Sequence, residues 1–204
     1  MEKFTTVSSP AVSLPESNID TDVIFPARFL ILTIKQGLGK YLFNDHRLMP
    51  NGSENPNFAL NIEPFRHAKI LVAGENFGCG SSREQAVWAL KDYGIQVVIA
   101  TRFGEIFYSN CFKNAVLPII LDEKNIALVE SMARTGAILT VDLENQHISC
   151  LNWAPVPFEI EEFRRKALLN GWDEITMILQ SDADDIAAFE TREKIIMPWL
   201  YDLA

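Results

Sequence analysis

Short apolar runs recur along the chain, separated by polar stretches that hold glycine, proline and asparagine. Phe4–Leu14, rich in Thr, Val and Ser, predicts a strand. Asn18–Asp22 reads as a turn, because its short polar side chains can bond their own backbone. Arg28–Lys35 is apolar without a decisive period and fits helix or strand. Gly37 and Gly39 then loosen the chain, and Pro50–Asn57 is its clearest loop. Lys69–Ala73 is a short buried strand that ends at Gly74. A glycine-rich loop follows, and then a helix over Arg83–Tyr93, stopped by Gly94. Ala86, Leu90 and Tyr93 recur at helical spacing and are expected to face the core. Gln96–Ala100 and Leu117–Leu121 are further strands, and Pro118 puts the latter at a strand start or a sheet edge. Helices over Glu105–Asn114 and Lys124–Arg134 separate the elements, and Ile138–Leu143 with Gln146–Leu151 forms a hairpin around Glu144-Asn145. The alternation predicts an α/β fold, with parallel strands in the middle and antiparallel ones near the ends. Three helices close the chain: Ile160–Leu169, Asp173–Gln180 and Asp182–Lys194. The first puts Phe163, Ala167 and Leu168 on one side, and all three are expected to pack on the sheet.

Length and composition narrow the classes. At 204 residues, with domains of about 150 residues as the prior, the chain holds one or two domains. With no internal repeat in it, it reads as a single domain over 1–204. A hydrophobic share of 48% excludes a disordered chain. No apolar run reaches the roughly 18 residues a spanning helix needs, so no membrane association is expected. Met1–Leu14 lacks the apolar centre of a secretory signal. The 18 basic and 27 acidic residues give a net charge of −9, which argues against nucleic acid as a partner. A small anion remains possible, since a local cluster of donors can hold one against the average field. Cys79, Cys111 and Cys150 are odd in number and widely spaced, so no disulfide framework is expected. With His46, His67 and His147 also far apart, the chain has no readable zinc or iron–sulfur site. Reduced cysteines and a cytoplasmic location are the expectation.

Candidate chemistry concentrates in Gly74-Glu75-Asn76-Phe77-Gly78-Cys79-Gly80-Ser81-Ser82-Arg83-Glu84. A strand enters a glycine-rich loop and the loop opens a helix, an arrangement that offers backbone N–H groups and a positive dipole end to an anion. Arg83 occupies the third glycine position of a dinucleotide fingerprint, and no Gly-Lys-Ser/Thr is present, so both nucleotide readings fail. Ser81 with Glu84, or Ser82 with Gln85, fits a helix-capping box. Arg83 counts against capping alone. At a first helical turn the dipole disfavours a cation, and a carboxylate ligand paired with the guanidinium would offset that cost.

The run Ile70–Glu84 resembles the signature of the swivelling domain of the aconitase superfamily. Asn18–Asp22, Pro26–Leu30, Trp88–Gly94, Asn110–Asn114 and Lys166–Gly171 extend the likeness to nearly the whole chain. Together they resemble the small-subunit family of 3-isopropylmalate dehydratase, the isopropylmalate isomerase of leucine biosynthesis. The resemblance implies a three-layer β/β/α domain with a mixed sheet and a helical C-terminal tail. It implies a heterodimer with a large subunit that carries a [4Fe–4S] cluster, with no cofactor or metal held by this chain. It implies a hydro-lyase that moves a hydroxyl group on a malate-derived substrate by dehydration and rehydration, the cluster iron acting as Lewis acid. Ser81 then matches the catalytic serine, whose alkoxide removes a proton from carbon. Ser82 matches a second serine that bonds the substrate, and Arg83 the arginine that holds a substrate carboxylate. Gly80 contributes to the same loop, and Asp20 and Thr21 match a segment beside the active site. Phe29–Lys40 matches a region that closes over the substrate side chain.

Gln85 and Val87 stand where related proteins often have His and Pro, and Arg102 and Gly104 where Ser and Ala are common. Paralogues act on homoaconitate, on citraconate or methylmalate, and on dimethylmalate, so the alkyl group stays open. Two other classes remain. One is a non-catalytic anion-binding domain with Ser81 and Ser82 as caps. The other is a serine acyl-transfer enzyme, disfavoured because the loop lacks a Gly-x-Ser-x-Gly elbow.

Overall fold

The structure, a computed structural model, describes residues 1–32 and 34–201. Thr33, inside the Arg28–Lys35 and Phe29–Lys40 stretches, and residues 202–204 lie outside the described residues. The chain divides into two units, Met1–Gly171 and Trp172–Ala204.

The first unit is built on β1 (Thr6–Leu14), which has a different neighbour along each half. Ala11–Leu14 pairs in parallel with Ile70–Ala73, and Thr6–Pro10 pairs antiparallel with Ile138–Asp142. Two very short helices follow it, α1 (Thr21–Ile24) and α2 (Asn44–Arg47). Then come β2 (Ile70–Ala73), α3 (Glu84–Tyr93), β3 (Val97–Ala100), α4 (Glu105–Lys113), β4 (Leu117–Ile120) and α5 (Glu123–Arg134). The antiparallel part is β5 (Ile138–Asp142), β6 (His147–Cys150) and β7 (Val156–Pro157), and α6 (Glu162–Asn170) closes the unit. Among the described residues the sheet has seven strands, in the order β4-β3-β2-β1-β5-β6-β7. Pro118 sits in β4 at the sheet edge, where a missing N–H is tolerated.

β2 and β3 are buried at every residue, as expected for parallel strands covered on both faces. Alternate side chains divide between two cores. Leu71, Ala73, Val98 and Ala100 meet Ala86 and Leu90 of α3 and Phe107 and Cys111 of α4. Ile70, Val72, Val97 and Ile99 share the other core with Leu139, Val141 and Ile148 of the antiparallel strands and with Val129 and Met132 of α5. The mixed sheet therefore curls, with its antiparallel end covering one face of its parallel end. α3 and α4 cover the other face, which is the β/β/α layering expected from the resemblance.

Several local expectations need correction. Asn18–Asp22 is more than a turn: Asp20 caps α1, its Oδ1 accepting from the N–H groups of Asp22 and Val23 at 2.8 Å each. Arg28–Lys35 is neither helix nor strand among its described residues, beyond a 3-10 turn over Ala27–Phe29. Its apolar side chains divide: Phe29, Leu30 and Leu32 pack partly buried against the core under α3 and α4, while Ile31 is 85% and Ile34 71% exposed. In α6, Ala167 and Leu168 are buried, but Phe163 is exposed and leaves the expected face. The second unit holds α7 (Glu174–Ser181) and α8 (Ala183–Ile196), close to the expected spans, and neither buries a residue.

Candidate active site

β2 delivers the chain into the loop that connects it to α3, and two neighbouring segments hold that loop. On one side, Asn18 N–H donates to the Glu75 carbonyl at 2.8 Å, Gly78 N–H to Ile19 at 2.7 Å, and Thr21 N–H to Cys79 at 2.9 Å. On the other, Phe77 N–H donates to the Arg102 carbonyl at 3.1 Å and Gly104 N–H to Phe77 at 2.9 Å. The loop is thus laced between residues 18–21 and 102–104, far apart in sequence. Arg102 also pairs with Glu75 at 3.2 Å, at the base of the loop.

Gly78 has φ +73°, and the Phe107 ring covers it so closely that a Cβ would lie 2.2 Å from a ring carbon. That ring is held by Phe77 and Phe103, with centroids 5.4 and 6.3 Å away. Gly78→Ala should therefore cost about 2–4 kcal/mol, combining a left-handed backbone with overpacking. A thermal melt of the purified chain checks this, and an unchanged melting temperature would mean that the ring yields freely. Gly80, at φ +97°, lets the chain pass close to Asp20, whose Cβ would be 3.2 Å from an added methyl.

The loop brings Ser81 to buried Thr21, with 2.7 Å between Ser81 Oγ and Thr21 Oγ1. Arg83 projects a guanidinium nitrogen, Nη1, to Asp22 Oδ1 at 2.5 Å. The same oxygen accepts from the Ala27 N–H at 2.6 Å. Arg83 holds the Asp22 carboxyl below its ordinary pKa, and the Ala27 bond adds to the effect. Helix α3 begins at Glu84 with Arg83 as its N-cap residue and without a side-chain cap. The capping box expected of Ser81 or Ser82 is therefore absent. The Arg83 N–H reaches Ser81 Oγ only at 3.4 Å, beyond an ordinary N–H···O length. The cost of a cation at a helix start is offset here by Asp22, so no ligand is required to explain Arg83.

The six residues singled out from sequence thus take different parts. Ser81, Thr21 and Arg83 come together. Gly80 shapes the loop, and Asp20 is engaged as the α1 cap. Ser82 is exposed, and its hydroxyl has no hydrogen bond among the described residues, while its carbonyl accepts from Asn110 Nδ2 at 3.5 Å. Sequence reasoning missed Asp22 as the Arg83 partner, although it lies inside the segment already singled out. It also missed Glu84, which accepts from Asn114 Nδ2 at 2.8 Å and Trp88 Nε1 at 3.0 Å. Burial pushes the Glu84 pKa up, but these two bonds and nearby Lys35 outweigh it and leave it lowered.

The cysteines do not form a cluster-binding set. Cys111 lies in the core under α4, Cys150 in the opposite core, and Cys79 in the loop. Burial pushes the Cys111 thiol pKa well above its ordinary value, against the thiolate a metal requires. Among the described residues no three His, Cys, Asp or Glu side chains are grouped to hold a metal. An iron–sulfur cluster does not fit this chain.

A curled mixed sheet feeding a glycine loop that carries Ser81 and Arg83 defines an aconitase-type domain, and the aconitase C-terminal domain profile matches residues 1–124. The chain is 49% identical, over 98% of both sequences, to the 3-isopropylmalate dehydratase small subunit of Rhodospirillum centenum. It is 50% identical to that of Afipia carboxidovorans, over 98% of this chain and 100% of the relative. A crystal structure of 3-isopropylmalate dehydratase from Methanocaldococcus jannaschii superposes with TM-score 0.66 at 28% identity, over 90% of this chain and 99% of that one. The chain belongs to the 3-isopropylmalate dehydratase small-subunit family.

Proposed function

We propose that this chain supplies the proton-abstracting half of a hydro-lyase that interconverts 2-isopropylmalate and 3-isopropylmalate in leucine biosynthesis. The observation that carries the reading is the 2.7 Å contact between Ser81 Oγ and the buried Thr21 hydroxyl, beside Arg83. A serine hydroxyl is a very weak acid, so it works as a base only where its alkoxide is stabilised. Thr21 O–H can donate to that alkoxide, and the α3 dipole and the Arg83 charge add favourable field. Ser81 then takes the proton from the carbon next to the departing hydroxyl and returns one in the rehydration step. Arg83 commits one nitrogen to Asp22, and the rest of its fork is suited to a substrate carboxylate. Ser82 offers an uncommitted hydroxyl to the same substrate, and Gly80 keeps the approach free of a side chain.

Ser81 and Ser82 are exposed, whereas an alkoxide needs water excluded. A second surface must cover them, and a large subunit carrying the [4Fe–4S] cluster fills that role. The group that receives the hydroxyl lies outside this chain. Such an assembly belongs in the cytoplasm, where thiols stay reduced.

The test is reconstitution with a large subunit, followed by anaerobic cluster assembly and an assay on 2-isopropylmalate. The pair should turn over and the isolated chain should not. Arg83→Lys should lower kcat/KM roughly ten-fold or more, because an ammonium loses the planar fork. An inactive pair, or an active isolated chain, would overturn the reading.

A further inference from the structure

Helix α4 offers the glycine loop a row of side chains spaced to match it. Phe107, Asn110 and Asn114 stand three and four positions apart and so share one stripe, with Asn114 as the C-cap residue. Phe107 covers Gly78. Asn110 Nδ2 reaches the Ser82 carbonyl at a long 3.5 Å. Asn114 Nδ2 donates to Glu84 Oε1 at 2.8 Å and to the Asn110 carbonyl at 2.9 Å. Both asparagines are buried, at 8% and 7% exposure. Asparagine is a poor helix former, and burying its amide is unfavourable unless hydrogen bonds replace water. Packing alone would favour an apolar side chain at either position. The Asn114 amide has a defined orientation, because two acceptors face Nδ2 and the Lys35 ammonium faces Oδ1 at 3.3 Å.

Arg83 lies between the two residues that α4 anchors. Its side chain is tied to Asp22, while its backbone runs from Ser82 on one side to Glu84 on the other. Helix α3 starts at Glu84 without a side-chain cap, so the bond from Asn114 holds the first helical residue from outside the helix. Ser81 has a different anchor, Thr21, on the α1 side. We infer that Asn114 is a positioning residue for Arg83: by binding Glu84 it fixes the first residue of α3, and with it the backbone from which the guanidinium reaches a substrate carboxylate. This rests on the proposed function. A carboxylate contact is made in ground state and transition state alike, and Ser81 keeps its own anchor, so the effect falls on substrate affinity and not on proton transfer.

The experiment uses the assembled two-subunit enzyme and 2-isopropylmalate. Glu84→Ala removes the acceptor from a side chain that is 37% exposed, so the fold should persist. It should raise KM about five-fold and keep kcat within about two-fold, the split expected when uniform binding is lost. Asn114→Leu removes the donor and should give the same split, with a lower melting temperature. The double variant should have a KM no higher than the worse single variant, because the two residues act as one unit. A merely structural Asn114 would lower the melting temperature and leave KM alone. An unchanged KM in Glu84→Ala, a fall in kcat to match, or KM increases that multiply in the double variant would overturn the inference. Should Asn114→Leu fail to assemble, Glu84→Ala decides by itself. An inactive wild-type pair would overturn the proposed function as well, whereas an active wild type with an indifferent Glu84→Ala removes only this inference.

Discussion

Ser81→Ala in the assembled enzyme should lower turnover by at least about 10²-fold, the lower range for a positioned proton-transfer group. Stability should fall only modestly. Ser81 does not cap α3, so the roughly 0.5–2 kcal/mol that a lost cap costs is not at stake. What is lost is its bond to Thr21, a net contribution of about 1 kcal/mol. KM should change little, because Arg83 and Ser82 remain. Turnover and melting temperature on one preparation decide the matter. A normal turnover would return the loop to being a structural anion site.

Thr21→Val should be nearly as damaging to catalysis. Valine keeps the shape of the buried side chain and removes its hydroxyl. If that hydroxyl stabilises the alkoxide, its loss resembles removal of an oxyanion donor and should cost about 10²–10³ in turnover. The pH profile separates this from mere misplacement. A donor to the charged form lowers the pKa of the base, so removing it shifts the rising limb of turnover to higher pH. Thr21→Ser keeps a hydroxyl and should recover most of the activity. Full turnover in Thr21→Val would mean that Ser81 donates to Thr21 and gains no stabilisation from it.

The elements of the parallel sheet were legible because each is a short apolar run closed by a residue with a physical reason to stop it. Gly94 ends α3 at φ +118°, its N–H bonded to Leu90 and Lys91, as a left-handed C-cap should. Pro118 marked the sheet edge. Burial was misjudged at Phe163, whose helical spacing placed it with Ala167 and Leu168 although it is exposed. Ser81 and Arg83 were legible in one local run. Thr21 was singled out through the resemblance, but its pairing with Ser81 and that of Asp22 with Arg83 were not legible, because the partners lie some sixty positions apart and no local pattern pairs a residue of one loop with a residue of another. The capping expectation failed for a related reason. Ser-Ser-Arg-Glu matches a cap by spacing, but the Ser81 hydroxyl is engaged by Thr21, and the helix starts at Glu84 without a side-chain cap.

The double pairing of β1 also sets the order in which this chain can fold. The first strand made is the central one, and its antiparallel neighbour, pairing Thr6 with Asp142, is synthesised only after the whole parallel half. β1 must therefore wait with one edge open while most of the unit emerges, and its final contacts span nearly the full unit. High contact order of this kind slows folding and leaves an unpaired edge exposed to other chains meanwhile. A nascent chain stalled before residue 138 would present β1 as a sticky edge, so yields of shortened forms should depend on retaining β5 more than on retaining the C-terminal helices.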